Sequence, residues 1–272
     1  MSPESRILVT CAVALAATAC SSGSTGAPYD VRSEVLHDDT TQDVRVWAPT
    51  GDAEGSWPVV FALPGIGGGK SDFDLLGPAI AEQGVVVFAT DYRTAGTVES
   101  LAEDLACGYR LAVSTAGDYG ADLEEPVTAI GYSYGAYWML AGALSEATTG
   151  GDSVADACAR SLQLPDVVVG LNGCYYSRQV APFSTEGLAR READVVVIAS
   201  SDDRNCPPQE SEQLTTELQA AGFRVTLTTL PDADHFAAIF HGFDDGEWLS
   251  VPDSAAGERT VDVIIDAIEA RS

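Results

Sequence analysis

Short runs of uninterrupted apolar residues recur along this chain, each the length of one strand and most followed by a segment that reads as a helix. Val59–Leu63, 85–89, 127–130, Val167–Leu171 and 195–199 are of this kind, and 225–230 reads as a further buried strand. A strand that is apolar at every position needs cover on both of its faces, unlike a strand with one wet face. Helical segments over 75–83, 98–116, 136–144, 209–221 and 261–270 supply that cover. The alternation predicts an α/β fold, with a mostly parallel central sheet of about eight strands and helices on both faces. The segment 43–48 alternates in polarity like a half-exposed strand, and 148–164 reads as a helix-containing insertion placed to cap a site. No internal repeat and no interdomain linker divides residues 41–272, which are expected to form one domain.

In such a sheet, ligands gather beyond the carboxyl ends of the strands. Gly131-Tyr132-Ser133-Tyr134-Gly135 lies there, directly after 127–130 and opening 136–144. A serine on a sharp strand-to-helix turn, flanked by glycines at the points of close approach, is exposed as a nucleophile. A serine hydroxyl needs a base within hydrogen-bond reach, and the base needs an orienting acid. Of the three histidines, His37 reads as a surface residue. His235 follows 225–230 by one short loop and is the expected base, with His241 as the alternative. For the acid, the segment after 195–199 offers Asp202 and Asp203, and Asp203 is preferred. The chain order Ser133, Asp203, His235 is the order of an α/β-hydrolase triad.

Negative charge developing on a substrate carbonyl oxygen requires fixed donors. The backbone N–H of Tyr134 is one candidate, and the loop Pro64-Gly65-Ile66-Gly67-Gly68-Gly69 offers a second, the N–H of Ile66. Gly69-Lys70-Ser71 supplies the closing letters of a phosphate-binding loop. The first glycine of that motif would fall at Leu63 or Pro64, which excludes the register. No cofactor is expected, and the isolated cysteines and histidines lack the spacing of a metal site.

Together these residues resemble the α/β-hydrolase superfamily over 43–270. The likeness is to the secreted esterase branch that includes dienelactone-hydrolase-like, feruloyl-esterase-like and polyester-hydrolase-like proteins. It is carried by Leu63-Pro64-Gly65-Ile66-Gly67-Gly68, Asp91-Tyr92-Arg93, the pentapeptide around Ser133, Asp203 with Pro207-Pro208, and Asp234-His235-Phe236. Pro64 stands where many esterases carry histidine. Tyr132 and Tyr134 flank the serine where many relatives have histidine and methionine; they either stack on a ring-bearing substrate or pack the elbow.

The N-terminus reads as a targeting segment: Arg6, an apolar stretch over 7–19, then Cys20 and a Ser/Gly/Thr-rich run. Residues 1–19 are the expected signal peptide and 20–40 a tether and N-terminal segment. Ala17-Thr18-Ala19-Cys20 resembles a bacterial lipoprotein box, with Ala17 where the pattern prefers leucine. Lipidation of Cys20 is therefore expected, with plain secretion as the alternative. Of six cysteines, loss of Cys11 with the signal and use of Cys20 for lipid leaves Cys107, Cys158, Cys174 and Cys206. In an oxidising compartment four cysteines predict two disulfides among three connectivities. Placement favours Cys107 with Cys158, in helices, and Cys174 with Cys206, both past strands on one sheet edge.

With 41 acidic against 14 basic residues, the formal charge is −27, which argues against nucleic acid and against docking on anionic lipid. Membrane contact is expected only through the lipid on Cys20. The resulting expectation is an exported serine ester hydrolase acting on a small or polymeric ester. The alternatives are an amidase or peptidase with the same triad, and a binding lipoprotein on a hydrolase scaffold. Natural substrate and oligomeric state are not encoded in any motif.

Overall fold

In the computed structural model, which describes residues 29–37, 43–50, 57–93, 98–145, 158, 163–177, 181–190, 192–245 and 247–272, the apolar runs form the middle of an eight-stranded sheet. The strands are β1 (Asp30–Leu36), β2 (Val44–Thr50), β3 (Val59–Leu63), β4 (Val86–Thr90), β5 (Val127–Tyr132), β6 (Val167–Leu171), β7 (Asp194–Ser200) and β8 (Arg224–Leu230). They lie in the order β1-β2-β4-β3-β5-β6-β7-β8. The β1–β2 and β2–β4 pairs are antiparallel and every other pair is parallel. Among the described residues the helices with full bounds are α1 (Leu76–Ala81), α2 (Val98–Thr115), α3 (Tyr134–Leu144), α4 (Pro208–Ala220) and α5 (Ala255–Glu269).

Both faces of the central strands are covered, which is why these strands lack polar alternation. Phe61, Leu63, Val127, Ala129 and Val197 pack with Ala112 of α2, Leu140 and Leu144 of α3, and Leu214 of α4. Their neighbours Val60, Ala62, Ile130 and Ile198 pack on the opposite face with Leu76 and Ile80 of α1 and Ile264 and Ile268 of α5. Each fully buried Val, Leu, Ile or Phe among them contributes about 1.5–3 kcal/mol relative to exposure.

The winding reverses at β3. From β3 the chain crosses through α1 to β4 on one side, then through α2 to β5 on the other. The loops leaving the carboxyl ends of β3 and β5 therefore part in opposite directions and open a crevice between them.

Several elements depart from the sequence reading. β1 falls within 20–40, where polar residues mask the signal; as an edge strand it needs little apolar surface, and all seven residues pair with β2 from Asp30↔Thr50 to Leu36↔Val44. β2, expected to be half exposed, is mostly buried because β1, β4 and α1 enclose Val44, Val46, Trp47 and Ala48. β8, expected to be buried, is the other edge: of its seven residues only Leu230 is buried, consistent with its threonines. A hairpin of β9 (His241–Asp244) and β10 (Glu247–Ser250) was not anticipated. α5 begins before 261, where Ser254 Oγ accepts from Gly257 N at 3.1 Å. Gly257 sits against the Phe240 ring, 2.6 Å from where a Cβ would stand, so packing outweighs its poor helix propensity.

The signal, Cys20 and tether lie outside the described residues, as does most of 148–164. Among the described residues no helix is long and apolar enough to cross a membrane. Disulfides join Cys107 to Cys158 and Cys174 to Cys206, the pairing placement favoured.

Candidate active site

β5 ends at Tyr132 and α3 begins at Tyr134, leaving one residue for the reversal. Ser133 makes it with φ 56° and ψ −124°, a conformation that strains any residue bearing a Cβ. Its N–H is tied to Leu171 O at 2.9 Å, continuing the sheet ladder one residue past the strand. The flanking glycines are required by close backbone approach. A Cβ on Gly131 would lie 2.3 Å from Gly135 O, and one on Gly135 would lie 2.3 Å from Pro64 O. The loop after β3 thus presses against the elbow, and Gly65 faces the serine: a Cβ there would lie 3.0 Å from Ser133 Cβ.

Ser133, Asp203 and His235 meet in this crevice. His235 Nε2 lies 3.0 Å from Ser133 Oγ, and His235 Nδ1 lies 2.6 Å from Asp203 Oδ2. All three are buried, at 7%, 5% and 5% exposure. The other oxygen of Asp203, Oδ1, accepts from the N–H groups of Asn205 and Cys206, each at 2.8 Å. Asp202, one residue earlier, is exposed, and its N–H donates to Ala233 O at 2.9 Å. His241 is carried on β9, edge-on to Trp248; its ring is held below the usual histidine pKa range by burial. No hydrogen bond joins it to Ser133 among the described residues. His37 is exposed and bonds Asp43 at 2.6 Å.

Of the candidate oxyanion donors, neither Ile66 N–H nor Tyr134 N–H has an acceptor among the described residues. Tyr134 opens α3, so its N–H is one of the donors a helix leaves unused. Ile66 is 54% exposed at the crevice mouth. Lys70 is not free for phosphate: its backbone N–H donates to Asp91 Oδ1 at 2.7 Å and its ammonium pairs with the same carboxylate.

Three features of this site go beyond the sequence reading, which left Tyr132 between stacking on a substrate and packing the elbow. Asn172, just past β6, donates from Nδ2 to His235 O at 2.9 Å and to Ser200 Oγ at 2.9 Å. Tyr132 is 2% exposed and donates its hydroxyl to the same His235 carbonyl at 3.0 Å. It therefore packs the elbow and anchors the histidine backbone instead of facing a substrate. Tyr134 is also buried, its hydroxyl 2.8 Å from Ser177 Oγ. Third, the Cys174–Cys206 sulfurs lie against the serine, with Oγ 3.8 Å from one and 3.9 Å from the other. Asp203, Cys206 and His235 are close enough to suggest metal ligands, but the Cys206 sulfur is bonded to Cys174.

Beside His235 opens a cleft of about 470 Å³ lined by Asp202, Arg204, Asn205, Asp234, Phe236 and Phe243. Phe236 meets His235 edge-on at 5.2 Å and Trp248 at 4.7 Å, linking the site to the hairpin.

A sequence model described as the prolyl oligopeptidase family matches residues 171–246, under a third of the chain. A probable isoprenylcysteine alpha-carbonyl methylesterase of Oryza sativa subsp. japonica is 26% identical over 231 residues, covering 83% of this chain and 52% of that protein. The chain thus spans about half the length of this curated relative. Esterase B from Lactobacillus rhamnosis, in an inhibited form, superposes with a TM-score of 0.68 at 15% identity, over 90% of this chain and 88% of that one. A truncated carbohydrate esterase from gut microbiota gives 0.65 at 15% identity, over 90% and 100%. A fungal esterase from Rhizomucor miehei gives 0.65 at 15% identity, over 90% and 85%. With its winding order, its serine elbow and these likenesses, the chain has the α/β-hydrolase fold.

Proposed function

We propose that this protein is an exported serine hydrolase of carboxylic esters. Ser133 attacks the ester carbonyl while His235 takes its proton at Nε2; Asp203 holds Nδ1–H and stabilises the imidazolium. The N–H groups of Ile66 and Tyr134 receive the oxyanion. His235 returns the proton to the departing alcohol, then activates water, which releases the acid from the acyl-enzyme. The cleft beside His235 receives an apolar part of the ester against Phe236 and Phe243.

The carrying observation is the buried line of hydrogen bonds from Ser133 Oγ through His235 to Asp203, at 3.0 and 2.6 Å. The esterase character of the relatives supports the choice of ester. Two disulfides support an oxidising compartment, and the residues around Cys20 support a lipid anchor there. Wild-type protein should hydrolyse a short-chain aryl ester and be labelled stoichiometrically by a fluorophosphonate. Ser133→Ala should lose both, with turnover falling by about 10⁴-fold or more; activity surviving in that variant would overturn the mechanism.

A second reading, hydrolysis of amides or peptides by the same residues, is favoured by the match of 171–246 to the prolyl oligopeptidase family. Rates on an ester and an anilide of the same acyl group separate the two.

A further inference from the structure

The loop that faces Ser133 is built almost entirely from glycine, which has no side chain to fix its peptide planes, yet a donor in an oxyanion site must be fixed before the reaction. The missing constraint comes from one carboxylate beneath the loop. Asp72, in the turn Lys70–Phe73, is half-buried, and its Oδ1 accepts from Gly69 N at 3.4 Å. Its Oδ2 rests against Gly68, where a Cβ would lie 2.0 Å away. Asp72 N in turn donates to Gly69 O at 2.9 Å, and Gly68 N donates to Gly65 O at 3.2 Å. These bonds occupy the N–H groups of Gly68 and Gly69 and leave that of Ile66 without an acceptor. We propose that Asp72 is a positioning residue for catalysis: its carboxylate locks the loop 65–69 so that the Ile66 N–H is presented to the substrate oxyanion.

The inference rests on the serine-hydrolase reading above, which does not itself call for an acid at this place. Burial pushes the Asp72 carboxyl up to about 6, with Asp91 and Asp74 adding to the rise and the N–H groups of Gly69 and Gly65 opposing it. The charge of Asp72 also opposes ionisation of Tyr92 and Tyr132, His241 lies near its backbone, and Lys70, two residues earlier, is held by Asp91. Because the folded value lies above the ordinary 3.8, protonated Asp72 favours folding at low pH. That contribution is lost as pH rises through about 6. The charged form, the better acceptor for the loop, is therefore retained at a cost in stability.

The test compares wild type with Asp72→Asn and, should that variant fold poorly, Asp72→Ser, all normalised by fluorophosphonate titration. With a short-chain aryl ester, kcat should fall about 10- to 100-fold while KM stays within about threefold. A trifluoromethyl ketone, whose carbon is attacked by Ser133 Oγ while the proton passes to His235 and the oxygen becomes an oxyanion, should bind more weakly by the same factor. The difference in Tm between Asp72→Asn and wild type should move in the variant's favour between pH 5 and pH 7.5. Unchanged kcat per titrated site, or a loss confined to KM with inhibitor affinity retained, would overturn the proposal. Wild-type turnover judges the ester-hydrolase reading and the variant-to-wild-type ratio judges Asp72, so the two fail separately.

Discussion

Adjacent aspartates after one strand meet opposite fates. Asp203 turns inward, with one oxygen on His235 and the other capping the backbone of Asn205 and Cys206, while Asp202 faces solvent. Neutralising Asp203 leaves His235 without an acceptor for Nδ1–H and favours the wrong tautomer. Asp203→Asn should therefore lower kcat by about 10⁴-fold, and Asp202→Asn by no more than about threefold, on one ester substrate. Equal losses in the two variants would reassign the acid. At this scale the sequence was legible where chain order and strand ends sufficed, as for Ser133 and His235. Asp203, the preferred acid, is the one that points inward, although pattern by itself leaves open which residue of a turn does so. Asn172 and Tyr132 were opaque for a related reason: each acts on the backbone carbonyl of His235, and a carbonyl leaves no mark in a sequence.

Among the elements, the β9–β10 hairpin is the one whose residues have least to do with the core. It forms a separate two-stranded sheet in which Phe243 faces Trp248, and both are about half exposed, at 51% and 50%. Phe236 packs on both rings and on His235, so an apolar path runs from His235 to the hairpin. Phe243→Ala and Trp248→Ala should each raise KM for long-chain or aryl esters by about three- to thirtyfold, the worth of one apolar contact, while leaving acetate ester kinetics nearly unchanged. A parallel rise for acetate would instead indicate damage to His235. The Asp245-Gly246 pair is a hairpin signal, but strands four residues long between a histidine and a serine offer too little periodicity to register. The central strands, by contrast, announced themselves, because burial on both faces removes every polar residue from the run.

Across the whole molecule, the two disulfides have different reach. Cys107–Cys158 ties α2 to a distant part of the chain, whereas Cys174–Cys206 joins the loops after β6 and β7 within the site itself. Cys174 N donates to Ser133 O at 3.3 Å and Cys206 N donates to Asp203 Oδ1, so the bridge is held to both Ser133 and Asp203. Complete reduction, verified by thiol count, should lower kcat by about tenfold, equivalent to about 1.4 kcal/mol in the barrier, with the far-ultraviolet circular dichroism retained. Undiminished turnover of the fully reduced protein would show the bridge to be dispensable for catalysis. The sequence could supply the even cysteine count and a favoured pairing, but not the proximity to Ser133, which exists only once β5, β6 and β7 lie side by side.

The site also spans the sheet unevenly. Ser133 and the loop 65–69 hang from β5 and β3, enclosed in the middle, while His235 hangs from β8, an edge strand with one buried residue in seven. Local opening starts where burial is least. Heat or denaturant should therefore unseat His235 before it disturbs Ser133, and the proposed activity should be lost while most of the sheet is still standing.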